Sequence, residues 1–222
     1  MTGDRERAWA AAGHAAAALV EDGMRVGLGT GRAASAGIRA LGERVRAGLR
    51  CAGVPTSRAS ALLARREGIP LMRLRGPLDL AFDGADAVDR DGLTVKGAGG
   101  AMVRERVVAD AARRFLVLVD GPKLVETLDE WGRLPVAVVP FAAPRVMDEL
   151  ASLSPTRRRE RSEDGMALID LHVPPGADWR GLGRRVRSLP GVVDHGLFRV
   201  RLADVLVGSP DGSVRSAAEP AA

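Results

Sequence analysis

A single cysteine, Cys51, is all the thiol in a chain of 222 residues, so no disulfide can form within it. It reads as a small core residue rather than a nucleophile. The longest apolar runs fall short of the roughly 20 residues a membrane span needs. No membrane is therefore expected as a partner, and the expected compartment is the cytoplasm. Aromatics are scarce, with three Trp and four Phe. Basic residues are spread among acids, so the net charge of +5 does not imply a nucleic-acid partner. A positive balance also suits a small anionic substrate. The three histidines, His14, His172 and His195, lie far apart. None has a second His or a carboxylate at metal-ligand helical spacing, so no metal site is expected. There is no G-x-S-x-G elbow.

Lysine is the most telling shortage. Of 33 basic residues only Lys96 and Lys123 are lysine, and the rest are arginine. A composition this biased keeps lysine where a compact ammonium is needed and a planar guanidinium will not serve. Both lysines follow expected strands, Lys96 directly before Gly97 and Lys123 two positions after Gly121. Chance survival of two surface lysines is the bland alternative.

What is present reads as alternating strand and helix. Residues 1–23 read as a helix over Glu6–Val20, not as a signal peptide. Met24–Leu28 is an expected strand, Gly29-Thr30-Gly31 a turn, and Arg32–Ala47 a helix. Strand Leu49–Val54, a loop whose hydroxyls can cap helix Arg58–Glu67, and strand Ile69–Leu74 follow. Leu78–Phe82 is a strand ending at Asp83. A polar turn, Asp86 to Gly92, leads to strand Leu93–Val95, which ends at Lys96. A helix from Ala101 to about Ala112 places Glu105 about one turn in. Strand Arg114–Asp120 closes the pattern, which implies a parallel, doubly wound sheet. From about Trp131 the order becomes β-α-β-β-α-β: strand Leu134–Phe141, helix Arg145–Leu153, hairpin Thr156–Glu163 with Met166–Val173, helix Asp178–Ser188 and strand Val192–Val200. That is a ferredoxin-like α+β unit. Residues 204–215 are expected to return to the first sheet, and the tail from Ala217 to fray. The expected class is α/β, a Rossmann-like domain over 1–132 plus 202–222 with a smaller α+β domain over 133–201.

The glycine turn at 27–31 is not a dinucleotide fingerprint, because position 32 is Arg and no acid follows the second strand. No Gly-Lys-Ser/Thr occurs either. A plain phosphate cradle over Gly29–Ala33 is the better reading, with an unliganded tight turn as the alternative. The run Arg157–Arg161 reads as the solvated face of a strand. Asp83, Asp86 and Glu105 taken singly are ordinary turn and helix acids. Taken with Lys96, they fall at strand ends or a helix start, and are expected to meet at one end of a sheet. A carboxylate base, a cation for a developing oxyanion and acids for hydroxyl protons suit proton shuttling on a sugar phosphate.

At these residues the chain resembles the A-type ribose-5-phosphate isomerases. The matching segments are VGLGTG (26–31), FDGADAVD (82–89), VKGAGGAMVRE (95–105), VDGPK (119–123), PGVVDHGLF (190–198) and DVLVGSPDG (204–212). The resemblance implies isomerisation of D-ribose 5-phosphate and D-ribulose 5-phosphate in the non-oxidative pentose phosphate pathway. It implies a metal-free enediol mechanism without a cofactor, and a homodimer or homotetramer. It also implies Glu105 as the base, Asp83 and Asp86 on the sugar hydroxyls, and Lys96 on the enediolate oxygen. Thr30, Gly31, Arg32, Ala33, Gly84, Ala85, Gly97, Ala98, Gly99 and Lys123 would bind substrate. Two departures stand out: Arg32-Ala33 where the family usually has Ser-Thr, and Ala87 where it has Glu. Two lost hydroxyls weaken binding by roughly 1 kcal/mol per hydrogen bond, and Arg32 is the expected compensation through a charge-assisted pair. The alternatives are an isomerase of another sugar phosphate and a sugar-phosphate-sensing module. The sensor would need neither Glu105 nor Lys96.

Overall fold

The structure, a computed structural model, describes residues 2–219. Its helices are α1 (Thr2–Ala18), α2 (Arg32–Arg46), α3 (Arg58–Arg66), α4 (Met102–Ala111), α5 (Ala143–Glu149) and α6 (Trp179–Ser188). Its strands are β1 (Arg25–Leu28), β2 (Ala52–Pro55), β3 (Leu80–Gly84), β4 (Ala87–Val88), β5 (Leu93–Val95), β6 (Phe115–Asp120) and β7 (Arg133–Val138). There follow β8 (Thr156–Arg161), β9 (Ala167–His172), β10 (Val192–His195), β11 (Leu197–Arg199), β12 (Val205–Gly208) and β13 (Val214–Ser216). The chain divides into two compact units. The first takes the residues up to Ala85, Arg104–Leu124 and those from Val200, and the second takes Asp86–Val103 and Val125–Arg199. Segments 86–103 and 125–132, assigned from sequence to the Rossmann-like part, group with the second unit.

The first unit is built on a six-stranded sheet in the order β13-β12-β6-β3-β1-β2. Its strands are parallel except β13, which runs antiparallel to β12 at the edge. The apolar runs of β3 and β6 are buried on both faces, as parallel strands between helices require. Phe82, Leu116 and Leu118 join Trp9, Ala12, Ile38 and Leu41 in one core. Ala81 turns the other way, to Val54, Leu78 and Val108. Each large side chain so buried contributes roughly 1.5–3 kcal/mol. Ser57 caps α3, accepting the Ser60 N–H at 3.1 Å.

Three expectations for this unit change. The first helix starts at Thr2, earlier than Glu6. Segment 69–74 is not a strand: it makes one bridge, Gly53 to Leu71, at the edge of β2. Pro70 accepts from Gly53 but has no N–H with which to continue a ladder. The tail is tied down as far as it is described, by Ala217 N–H to Val205 O at 2.9 Å and Glu219 N–H to Ser216 O at 3.1 Å. The rest of the expected frayed tail, 220–222, lies outside the described residues.

The second unit holds an antiparallel sheet in the order β10-β7-β9-β8, with α5 and α6 between its strands in the split βαβ sequence expected. Val136, Val138, Ile169 and Leu171 pack with Val146, Leu150 and Val186. The expected helix 145–153 begins at Ala143 and ends in a tight 3₁₀ turn over 151–153.

A second, three-stranded antiparallel sheet, β11-β5-β4, was not foreseen. The turn 86–92 contains β4, and β5 lies in this small sheet rather than in the parallel one. The expected strand 192–200 breaks at Gly196. There β10 leaves β7 and β11 joins β5. Gly196 donates to Pro135 O at 2.7 Å and accepts from Lys96 N–H at 2.8 Å. A Cβ at this position would lie 2.0 Å from Lys96 O, so only glycine lets the chain pass.

Candidate active site

In the first unit the chain leaves β1 through Gly29-Thr30-Gly31 and enters α2. The turn packs directly on the end of β3: a Cβ on Gly29 would stand 2.3 Å from the Asp83 carboxyl carbon. Thr30 N–H donates to Asp83 Oδ1 at 2.9 Å, and Gly84 N–H donates to the same oxygen at 2.7 Å. Main-chain donors therefore hold this carboxylate, which is 2 % exposed. Gly31, with φ at 98°, occupies the left-handed region that glycine tolerates and caps α2 without a side-chain bond.

The Thr30 hydroxyl lies 2.7 Å from that of Thr56 and 3.2 Å from that of Ser60. Thr56 Oγ1 donates to Leu28 O at 3.1 Å, and the Ser60 hydroxyl donates to Gly29 O. Sequence reasoning saw in residues 55–57 only a cap. Ser57 is that cap, and beside it the hydroxyls of Thr56 in the loop and Ser60 in the first turn of α3 brace the glycine turn. The signal was there, in two small hydroxyl residues following a second strand end.

Arg32 opens α2 at the surface, its guanidinium carbon 5.2 Å from the centroid of the Trp9 ring. Trp9, Gly31, Arg32 and Arg39 line a groove together with Glu6 and Glu43. Ala33 is buried, close to Gly84. Glu105 lies in the first turn of α4 and is 5 % exposed. Lys123 closes a 3₁₀ turn directly after β6 and is half-buried. Asp120, the last residue of β6, is buried and accepts from Arg5 Nε at 2.6 Å.

In the second unit, Asp86 precedes β4 and its N–H donates to Val95 O at 2.8 Å. Its carboxylate accepts the Ala98 N–H at 2.9 Å. Lys96 follows β5 and is 2 % exposed, its Nζ 5.7 Å from the Phe198 ring centroid. Gly97 turns the chain with φ at 97°. Charged side chains are almost never this deeply buried unless they are paired or used. At the far end of the β4–β5 hairpin, burial pushes the Asp89 carboxyl above the usual range, while the Leu93 and Asp91 amides pull it the other way.

The expected residues are thus gathered in two sets. Thr30, Gly31, Asp83 and Gly84 form one, with Arg32 and Ala33 at the start of α2. Asp86 and Ala98 are joined in the other, on the turn that follows Lys96. The expectation that Lys96 ends a strand of the parallel sheet fails, because among the described residues β5 pairs only with β4 and β11.

Residues 52–212 match the family model of ribose 5-phosphate isomerase A (phosphoriboisomerase A). The chain is 46% identical over 222 residues to ribose-5-phosphate isomerase A of Thermomicrobium roseum, covering 93% of this chain and 92% of the relative. It is 47% identical over 212 residues to that of Natronomonas pharaonis, covering 90% and 92%. The solved ribose 5-phosphate isomerase A of Methanocaldococcus jannaschii superposes with a TM-score of 0.86 at 36% identity, over 94% of this chain and 97% of the other. A solved D-ribose-5-phosphate isomerase in complex with phospho-erythronic acid gives 0.87 at 30% identity, over 96% and 99%.

Proposed function

The chain belongs to the ribose 5-phosphate isomerase A family and is an aldose–ketose isomerase, and from that premise we propose how it interconverts D-ribose 5-phosphate and D-ribulose 5-phosphate. Glu105 takes the proton from C2 of the open-chain aldose and returns it to C1, through an enediol. A proton moves between the oxygens on C1 and C2 to balance the step. Lys96 steadies the enediolate oxygen, as a fixed cation does in a site closed to water. Asp83 and Asp86 hold the sugar hydroxyls and assist ring opening. The observation that carries this reading is the burial of Asp83, Lys96 and Glu105, three ionisable groups withdrawn from water at motif positions. The backbone at Gly84, Ala85, Gly97, Ala98 and Gly99 lines the sugar, and Lys123 assists binding.

The phosphate lies on the Thr30–Ala33 turn, where Arg32 takes the place of the family's hydroxyls. The Trp9 ring supports this, since a guanidinium held over an aromatic face is ordered before the anion arrives. A site that had moved to a different sugar phosphate is the second reading, favoured only by the buried Ala33, which offers no hydroxyl. Turnover across a panel of pentose and hexose phosphates separates the two. Phospho-erythronic acid, carried by a related structure, should compete with ribose 5-phosphate under the first reading.

Among the described residues no helix is long and apolar enough to cross a membrane. We further propose that the enzyme works in the cytoplasm, in the non-oxidative pentose phosphate pathway, as a homodimer or homotetramer. Light scattering reads the oligomer directly.

A further inference from the structure

The arginine run on β8 is only partly a solvated face. Arg157, Arg159, Glu160 and Arg161 are exposed, but the Arg158 side chain is 16% exposed. The ladder between β8 and β9 loses register between Arg157 and Arg161, and Arg158 sits in that irregularity. Bulges of this kind re-aim a side chain. Arg158 forks onto Asp170, Nε to Oδ2 at 2.8 Å and Nη2 to Oδ1 at 2.7 Å. Its remaining nitrogen, Nη1, donates to Gly97 O at 3.1 Å and to Ala98 O at 2.8 Å. One guanidinium therefore grips two successive carbonyls of the turn that follows Lys96.

A trans peptide is planar, with its C=O and N–H pointing opposite ways. In the 97–98 peptide, the carbonyl is held by Arg158 and the N–H donates to Asp86 Oδ2 at 2.9 Å. A single rigid plane thus connects the Arg158–Asp170 pair to the Asp86 carboxylate. By the same geometry, the grip on Ala98 O turns the Gly99 N–H away from Arg158.

We infer that Arg158, oriented by Asp170, is a positioning residue for the isomerisation: it sets the 97–99 turn so that Ala98 N–H fixes Asp86 and Gly99 N–H is offered to a sugar oxygen. This rests on the isomerase reading of Asp86 and the turn. Lysine cannot replace it, because a point ammonium cannot fork a carboxylate and hold two carbonyls at once.

The test is steady-state kinetics on D-ribose 5-phosphate for wild type, Arg158→Lys, Asp86→Asn and the double variant, with melting curves and hydrogen exchange alongside. Arg158→Lys keeps a charge opposite Asp170 and is expected to fold, which the melting curves read. It should lower kcat at least tenfold, speed amide exchange at 97–100, and leave KM within about threefold. The double variant should be no more than about twofold below the worse single variant, because both changes act through one peptide plane. Asp170→Asn should reproduce the kcat loss more weakly. Wild-type kcat in Arg158→Lys, or losses that multiply in the double variant, would overturn the positioning role while leaving the isomerase reading intact. A wild type inert on ribose 5-phosphate would overturn both.

Discussion

The two units solve the same problem by different means. Each must hold a buried ionisable group at the mouth of a turn. The first does it with main chain: Asp83 is pinned by the N–H groups of Thr30 and Gly84, and Gly29 lets the turn close on it. The second does it with side chains and one crossing: Arg158 and Asp170 hold the turn after Lys96, and Gly196 passes against Lys96 itself. Both devices join distant parts of the chain, 53 positions from Thr30 to Asp83 and 60 from Arg158 to Ala98. The first uses main-chain groups at strand ends and glycine turns, which the sequence marks, and the second needs one particular side chain.

Crowding each turn is the strongest way to break this comparison. Gly196→Ala would drive a methyl into Lys96 O, and Gly29→Ala would drive one into Asp83. Overpacking of this kind costs about 1–3 kcal/mol. Both variants should lose at least tenfold in kcat/KM, read by kinetics at temperatures where circular dichroism shows them folded. If one unit tolerates its methyl, its device is not a close-packed one.

Arg32→Ala tests the proposed phosphate end of the first unit. A charge-assisted bond is worth roughly 1.5–3 kcal/mol, so KM for ribose 5-phosphate should rise about tenfold or more while kcat stays within about twofold. An unchanged KM would mean that Arg32 does not compensate for the missing hydroxyls.

A smaller effect is expected from Ser57→Ala, which removes the α3 cap beneath the hydroxyl brace. About 1 kcal/mol of stability should go, measured by urea unfolding, with kcat little changed.

Smallest is Asp89→Asn in the second unit. The folded Asp89 carboxyl titrates above its ordinary value because of burial, so its ionised form opposes folding. Stability is then gained as pH falls through that raised pKa towards the unfolded value, and lost above it. The asparagine keeps an oxygen for the Asp91 and Leu93 amides. Unfolding curves should show it at least as stable as wild type at pH 7, with the gap closing as pH falls.

The same contrast explains what could be read from sequence. In the first unit the strand–turn–helix periods, the Ser57 cap and the positions of Asp83 and Glu105 were legible, because each depends on neighbours in the chain. Segment 69–74 has the apolar content of a strand, but Pro70 within it has no N–H for a ladder, and a single bridge forms. In the second unit the ferredoxin-like order was legible from the Asp164-Gly165 turn and the helical stretch Asp178–Ser188. The small sheet was not, since β4 is two residues long and β11 is separated from β10 only by Gly196. Arg158 was hidden by its exposed neighbours. Its role depends on a ladder irregularity that leaves no local mark.

The most direct test of the central claim is the rate of conversion of D-ribose 5-phosphate by Glu105→Gln beside wild type, with both shown to be folded. Loss of a general base costs about 10²- to 10⁴-fold, and a fall in kcat of that size is expected, with KM largely kept. A Glu105→Gln variant working at the wild-type rate would contradict the account.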